Sequence, residues 1–135
     1  MKMAYVSQDL KARLAPQIKA VLKKYGVKGT IAVRNRMTLC LTLKSGPIDF
    51  IGNYRNTVGE SQTMKDMAGL RYLDVNKYWY QDHFNGKAKE FLREAFAALN
   101  DGNHDNSRSE IDYFDVGWYV DLHVGKWDKP YEVVA

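Results

Sequence analysis

The run Phe114–Val124 constrains this chain more than any other feature, because apolar and polar residues alternate through it without a break. Phe114, Val116, Trp118, Val120, Leu122 and Val124 share one face of an extended strand, and Asp115, Gly117, Tyr119, Asp121 and His123 share the other. A helix would scatter these residues around its surface, so the pattern demands a sheet with one apolar and one polar face. Met37–Lys44 repeats it, with Met37, Leu39, Leu41 and Leu43 opposite Thr38, Cys40 and Thr42. Thr30–Arg34 precedes it with Ile31 and Val33 in phase, and Asn35-Arg36 between the two runs predicts a tight hairpin.

Helical spacing appears in two places. Leu10, Leu14, Ile18, Val21, Leu22 and Tyr25 recur after a cap at Ser7 or Asp9, and Gly26 marks the stop. Pro16 inside this stretch predicts a kink or two abutting helices. Ala88, Phe91, Leu92, Ala95, Phe96 and Leu99 define a second helix, Lys87–Leu99, capped by Asn85. Ile48–Ile51 reads as a third strand or a bend, and Gly52–Leu70 as a long loop. Tyr72–Val75 reads as a short strand, Asn76–His83 as a helical turn and 101–112 as a polar loop. This order predicts a single α+β domain over residues 1–135, a small antiparallel sheet with helices packed on one face.

At 135 residues and 45% hydrophobic composition, the chain can bury a core without a metal or disulfide staple. Cys40 is the only cysteine, so no intrachain disulfide forms, and its place in an alternating run makes it a buried filler. No apolar run approaches the ~20 residues that span a bilayer. Met1–Leu14 lacks the continuous apolar core of a signal peptide, so the expected compartment is the cytoplasm. The net charge of +4 hides an asymmetry: residues 1–48 hold ten Lys/Arg against one acid, and residues 49–135 hold ten against fifteen. A basic face of this kind attracts nucleic acid or an acidic protein.

No phosphate loop, dinucleotide fingerprint, zinc-hydrolase helix or nucleophile elbow is present, so the expectation is a protein without catalytic activity. Lys19, Lys23, Lys24, Arg34 and Arg36 are the candidate anion-binding residues of the basic third. Tyr54-Arg55 places a ring beside a guanidinium, the pairing that stacks a base and holds a phosphate, and Lys77-Tyr78-Trp79-Tyr80 repeats the theme. Asp115, Tyr119, Asp121 and His123 project from one side of the last strand, where they could bind a ligand or move a proton. The spacing of His83, His104 and His123 does not demand a metal, and neither a metal nor a cofactor is expected.

Four stretches carry a family likeness. They are Tyr72-Leu73-Asp74-Val75-Asn76-Lys77-Tyr78-Trp79-Tyr80, His83-Phe84-Asn85-Gly86-Lys87-Ala88, Asp112-Tyr113-Phe114-Asp115 and Gly125-Lys126-Trp127-Asp128-Lys129-Pro130-Tyr131. With the lysine-rich opening helix and Lys28-Gly29-Thr30-Ile31-Ala32-Val33-Arg34, they resemble the large polyvalent protein-associated domain of type 29, found in proteins of phages and mobile elements. The resemblance covers nearly the whole chain. It implies an accessory protein in the cytoplasm of a host cell, and it brings no activity that transfers residue by residue. The leading expectation is therefore a protein that binds a host protein or protein complex, including one of host defence, with a homodimer through an exposed face as an option. The alternatives are a nucleic-acid-binding module built on the basic first third, and a ligand binder or enzyme built on the polar face of the last strand.

Overall fold

A computed structural model describes residues 4–58, 71–104 and 116–134. Ser7 opens helix α1 (Gln8–Tyr25) by accepting the Leu10 N–H at 3.0 Å. Gly26 closes it in left-handed geometry at φ 69°, its N–H returning to the Leu22 and Lys23 carbonyls. Leu14, Ile18 and Leu22 form the buried stripe. Of the two outcomes expected from Pro16, two abutting helices are not found: α1 is one continuous helix. Pro16 and Ala12, whose carbonyl loses its N–H partner, both lie on the exposed side, where water can hydrate that carbonyl.

Strands β1 (Lys28–Arg34) and β2 (Thr38–Gly46) form the predicted hairpin, with Ile31 opposite Leu41 and Val33 opposite Leu39. Its turn sets Asn35 and Arg36 at φ 52° and 60°, and the Met37 N–H bonds the Arg34 carbonyl at 3.1 Å. Helix α2 (Phe50–Val58), strand β3 (Leu73–Asp74), helices α3 (Tyr80–His83) and α4 (Gly86–Leu99), and strands β4 (Tyr119–Val124) and β5 (Glu132–Val133) follow.

The class is α+β. The sheet runs β1-β2-β4-β3, with β5 also on β2. The β1–β2 and β3–β4 pairs are antiparallel, as expected of the sheet, and β2–β4 and β2–β5 are parallel. Alternation fixes which face a residue takes and says nothing of strand direction. Among the described residues three helices lie between β2 and β4, ample for the crossover that a parallel pair needs.

Leu39, Leu41 and Leu43 of β2 and Val120, Leu122 and Val124 of β4 bury against α1 and α4. Phe91 of α4 packs 5.3 Å from Phe50 and takes Tyr25 edge-on at 5.4 Å. Tyr131 stands edge-on to Phe50 at 5.5 Å and donates its hydroxyl to the Ile48 carbonyl at 2.8 Å. Burial, with Asp49 nearby, raises the Tyr131 phenol above its ordinary pKa. The other face of the sheet, carrying Cys40, Thr42, Asp121 and His123, contributes nothing to this core.

Two sequence readings change. Ile48–Ile51 is not a strand, and the expected loop from Gly52 begins inside α2. The Asp49 carboxylate accepts the Gly52 N–H at 3.0 Å and its carbonyl accepts the Asn53 N–H at 2.9 Å, which starts the helix. Only Phe50 of α2 is fully buried, too little for a visible period. Residues 59–70 of that stretch, most of the 101–112 loop, and the first two residues of the Phe114–Val124 run lie outside the described residues. The strand itself begins at Tyr119.

Candidate nucleic-acid interface

The hairpin register sets Lys28, the first residue of β1, opposite Ser45 near the end of β2, so Lys28 and Lys44 meet at one end of the sheet. The last turns of α1 pass the same place and bring Lys19 and Lys23, one turn apart. Together the four lysines wall a groove of about 480 Å³ whose other contributors are apolar, Thr30 and the Gly29 backbone. A β-bulge lies between Lys28 and Gly29. A Cβ on Gly29 would come within 2.8 Å of the Thr42 carbonyl oxygen, so the close approach of the two strands here requires glycine.

Among the described residues, no carboxylate lines this groove. Among the described residues, none of its four lysines makes an ion pair. Thr30 and Lys44 also border a second cleft, of about 670 Å³, to which Lys126 and Lys129 add two cations and Asp128 and Glu132 two anions. Among the described residues the four-lysine groove carries one sign of charge, and the cleft beside it mixes both. Ammonium groups held close with no counter-charge repel one another, and a bound anion relieves that repulsion.

The remaining basic candidates are placed elsewhere. Lys24 turns toward α4, where its Nζ sits 2.8 Å from a Glu94 carboxylate oxygen; the other oxygen accepts the Tyr25 hydroxyl. Hydrogen bonds from Lys24 and then Tyr25 hold Glu94 below the usual carboxylate range, and the same contacts raise Lys24 and Tyr25. Arg13 donates to the Asp101 carbonyl at 3.1 Å and pairs with its carboxylate at 3.6 Å. Arg34 lies at the far end of β1 with Arg36 in the turn, roughly 20 Å from Lys28 by strand rise. Tyr54 of α2 packs edge-on to His83 at 5.5 Å and against Phe84 at 5.7 Å, so its ring supports the fold rather than offering a free stacking face. Arg55, its neighbour on α2, is partly buried and already engaged.

Asp115 lies outside the described residues. Tyr119, Asp121 and His123 do share one face of β4, but they do not gather at one point. Tyr119 borders a cavity at the start of the strand, Asp121 faces solvent, and His123 bonds the Asp74 carboxylate through Nδ1. Its Nε2 is enclosed without a hydrogen-bond partner among the described residues, and Cys40 is the neighbour that bears most on the ring. Cys40 first, against the desolvation of burial, and then Asp74 favour the imidazolium and push His123 up to about 9. A thiol, an imidazole and a carboxylate in sequence can make a nucleophile with its base. Here Cys40 is 1% exposed, which keeps a substrate from its sulfur.

Among the described residues, no group of three or more His, Cys, Asp or Glu is arranged to hold a metal, and no helix is long and apolar enough to cross a membrane. Lys28 and Lys44 belong to the basic third but are not among the candidate residues that the sequence marks. The hairpin centre was the available signal, since a turn at Asn35-Arg36 puts the two lysines at the same end of the ladder. No protein-family model, curated protein or solved structure matches the chain.

Proposed function

We propose that this chain is a nucleic-acid-binding module that takes a sugar–phosphate backbone along the groove of Lys19, Lys23, Lys28 and Lys44. The observation that supports it is a groove walled by four lysines, free of carboxylates, whose ammonium groups have no ion-pair partner among the described residues. Each lysine that meets a phosphate releases condensed counterions, so affinity falls steeply with salt. Fluorescence anisotropy with labelled single-stranded and duplex DNA is the test. Binding at roughly 50 mM salt that weakens by orders of magnitude at roughly 200 mM is the expected result. Replacing the four lysines together by glutamate abolishes it. Failure to bind either DNA at the lower salt, or binding that survives the fourfold replacement, refutes the proposal.

A second reading keeps the mobile-element setting and gives the chain a host protein as partner. Its support is the exposed pair Tyr78 and Trp79, 77% and 57% accessible on one turn, residue types that anchor protein interfaces. Affinity capture from host lysate separates the two readings. A partner lost on Trp79→Ala and kept by the lysine replacements favours the protein, and the reverse pattern favours nucleic acid.

A further inference from the structure

The outer edge of β4 meets β3 for two residues only, with Leu73 opposite Val124 and Asp74 opposite His123. Val75 extends the contact by donating its N–H to the Leu122 carbonyl at 2.9 Å. Continued by one more pair, this register would set Lys77 opposite Val120. The chain leaves before that. The Asn76 side-chain oxygen accepts the N–H groups of Tyr78 and Trp79 at 2.9 and 3.2 Å, a turn that lifts the backbone off the edge. On the other side of the gap a single side chain replaces a strand. Asn103 donates to the Trp118 carbonyl at 2.8 Å and accepts the Trp118 N–H at 3.0 Å.

Val120 is left between them. The N–H groups of Tyr119 and Gly125 bond to the Met37 and Leu43 carbonyls of the β2 side, so odd-numbered residues turn their backbone toward β2. Even-numbered residues, Val120 among them, turn theirs outward. Val120 is 3% exposed, and its N–H and carbonyl have no hydrogen-bond partner among the described residues. An outward-facing peptide group at the mouth of a cavity offers a donor and an acceptor side by side to whatever enters it.

The gap opens on a cavity of about 590 Å³. Tyr78, Tyr119 and Trp118 supply rings, Lys77 and Arg93 supply positive charge, and none of the described residues that line it is a carboxylate. The Lys77 Nζ stands 5.4 Å from the centre of the Tyr78 ring and 5.8 Å from that of Tyr119. Arg93 makes a loose, exposed pair with Glu90 at 3.6 Å. The volume suits a small ligand.

We propose that this notch binds a mononucleotide. The edge of a nucleobase offers a donor beside an acceptor and completes the Val120 N–H and carbonyl as a strand would. The base plane stacks on Tyr78 and Tyr119, displacing the Lys77 ammonium, which with Arg93 then holds the phosphate. The site lies at the opposite end of β2 from the lysine groove and does not rest on it.

Calorimetric titration with uridine monophosphate, its 3-methyl analogue and ribose 5-phosphate tests the proposal. Uridine monophosphate binds. The 3-methyl analogue, which has lost the N3 donor, and ribose 5-phosphate, which has no base, each bind at least about tenfold more weakly. Ala97→Trp, from an exposed position of α4 that lines the cavity, fills it without touching the core and abolishes binding. Lys77→Ala weakens binding about tenfold. The fourfold lysine replacement in the groove leaves it unchanged, so the two sites fail separately. No heat with uridine monophosphate at millimolar concentration, equal affinity for ribose 5-phosphate, or full binding by Ala97→Trp overturns the proposal.

Discussion

The two flanks of α1 carry the same kind of side chain and use it in opposite ways. Toward α4, Lys24 and Arg13 are answered by Glu94 and Asp101, and Gln17 adds a bond to Asp101 at 3.1 Å. Toward the sheet end, Lys19 and Lys23 face Lys28 and Lys44 with no acid between them among the described residues. One flank spends its cations on holding two helices together, and the other keeps them for an anion from outside. A count of basic residues therefore does not measure a binding surface; the partner each one already has decides the matter.

The sharpest way to break this comparison is through the packing beneath the answered flank. Phe91→Ala removes the ring that Tyr25 and Phe50 pack against and should destabilise the fold by about 3–5 kcal/mol. Chemical denaturation measures the loss, and the DNA affinity of the protein that remains folded should not change. Next comes the unanswered flank. The fourfold replacement of Lys19, Lys23, Lys28 and Lys44 by alanine should reduce the salt dependence of DNA binding by about three units of logarithmic slope. Its unfolding midpoint should stay where it is or rise as repulsion is relieved; a large drop would mean these lysines hold the fold.

His123 provides a smaller, pH-dependent contrast, because it is a cation with a partner already, Asp74. Its folded pKa of about 9 lies above the ordinary value of 6.5, so binding a proton favours the folded state. That stabilisation is fully present below pH 6.5 and is lost as pH rises through 9. Unfolding midpoints recorded across this window should fall for the native chain and flatten for His123→Gln. The smallest effect belongs to Glu94, which is half-buried between α1 and α4. Its lowered pKa gives a contribution present above 4.5 and lost as pH falls through the folded value. Glu94→Gln should lower the melting temperature slightly at neutral pH and leave DNA binding intact.

The parts of this molecule readable from sequence are those where one side chain reports its own environment. Leu39, Leu41 and Leu43 on β2, the Phe91 stripe on α4, and Gly26 at the end of α1 each announce their role through spacing or conformational preference. What escaped depends on a second residue far along the chain. Lys24 and Lys23 are neighbours with identical chemistry, and only the position of Glu94 separates them. Lys44 joins Lys19 only through the fold of the hairpin against α1. The outward-facing Val120 backbone is invisible because its cause is the path of another segment, turned aside by Asn76. Helix α2 escaped for a different reason, since Asp49 starts it and a single buried phenylalanine anchors it.

The central place of β2 has a consequence in time. It forms a hairpin with β1 across a short turn, but its other edge waits for β4, about 80 residues further along the chain. Bringing so distant a segment home is slow compared with closing the hairpin. During synthesis and refolding the hairpin therefore spends an interval with an open edge of Leu39, Cys40 and Leu41. In that interval the nascent chain is most exposed to pairing with its own copies, and dilution or a chaperone matters most before β4 arrives.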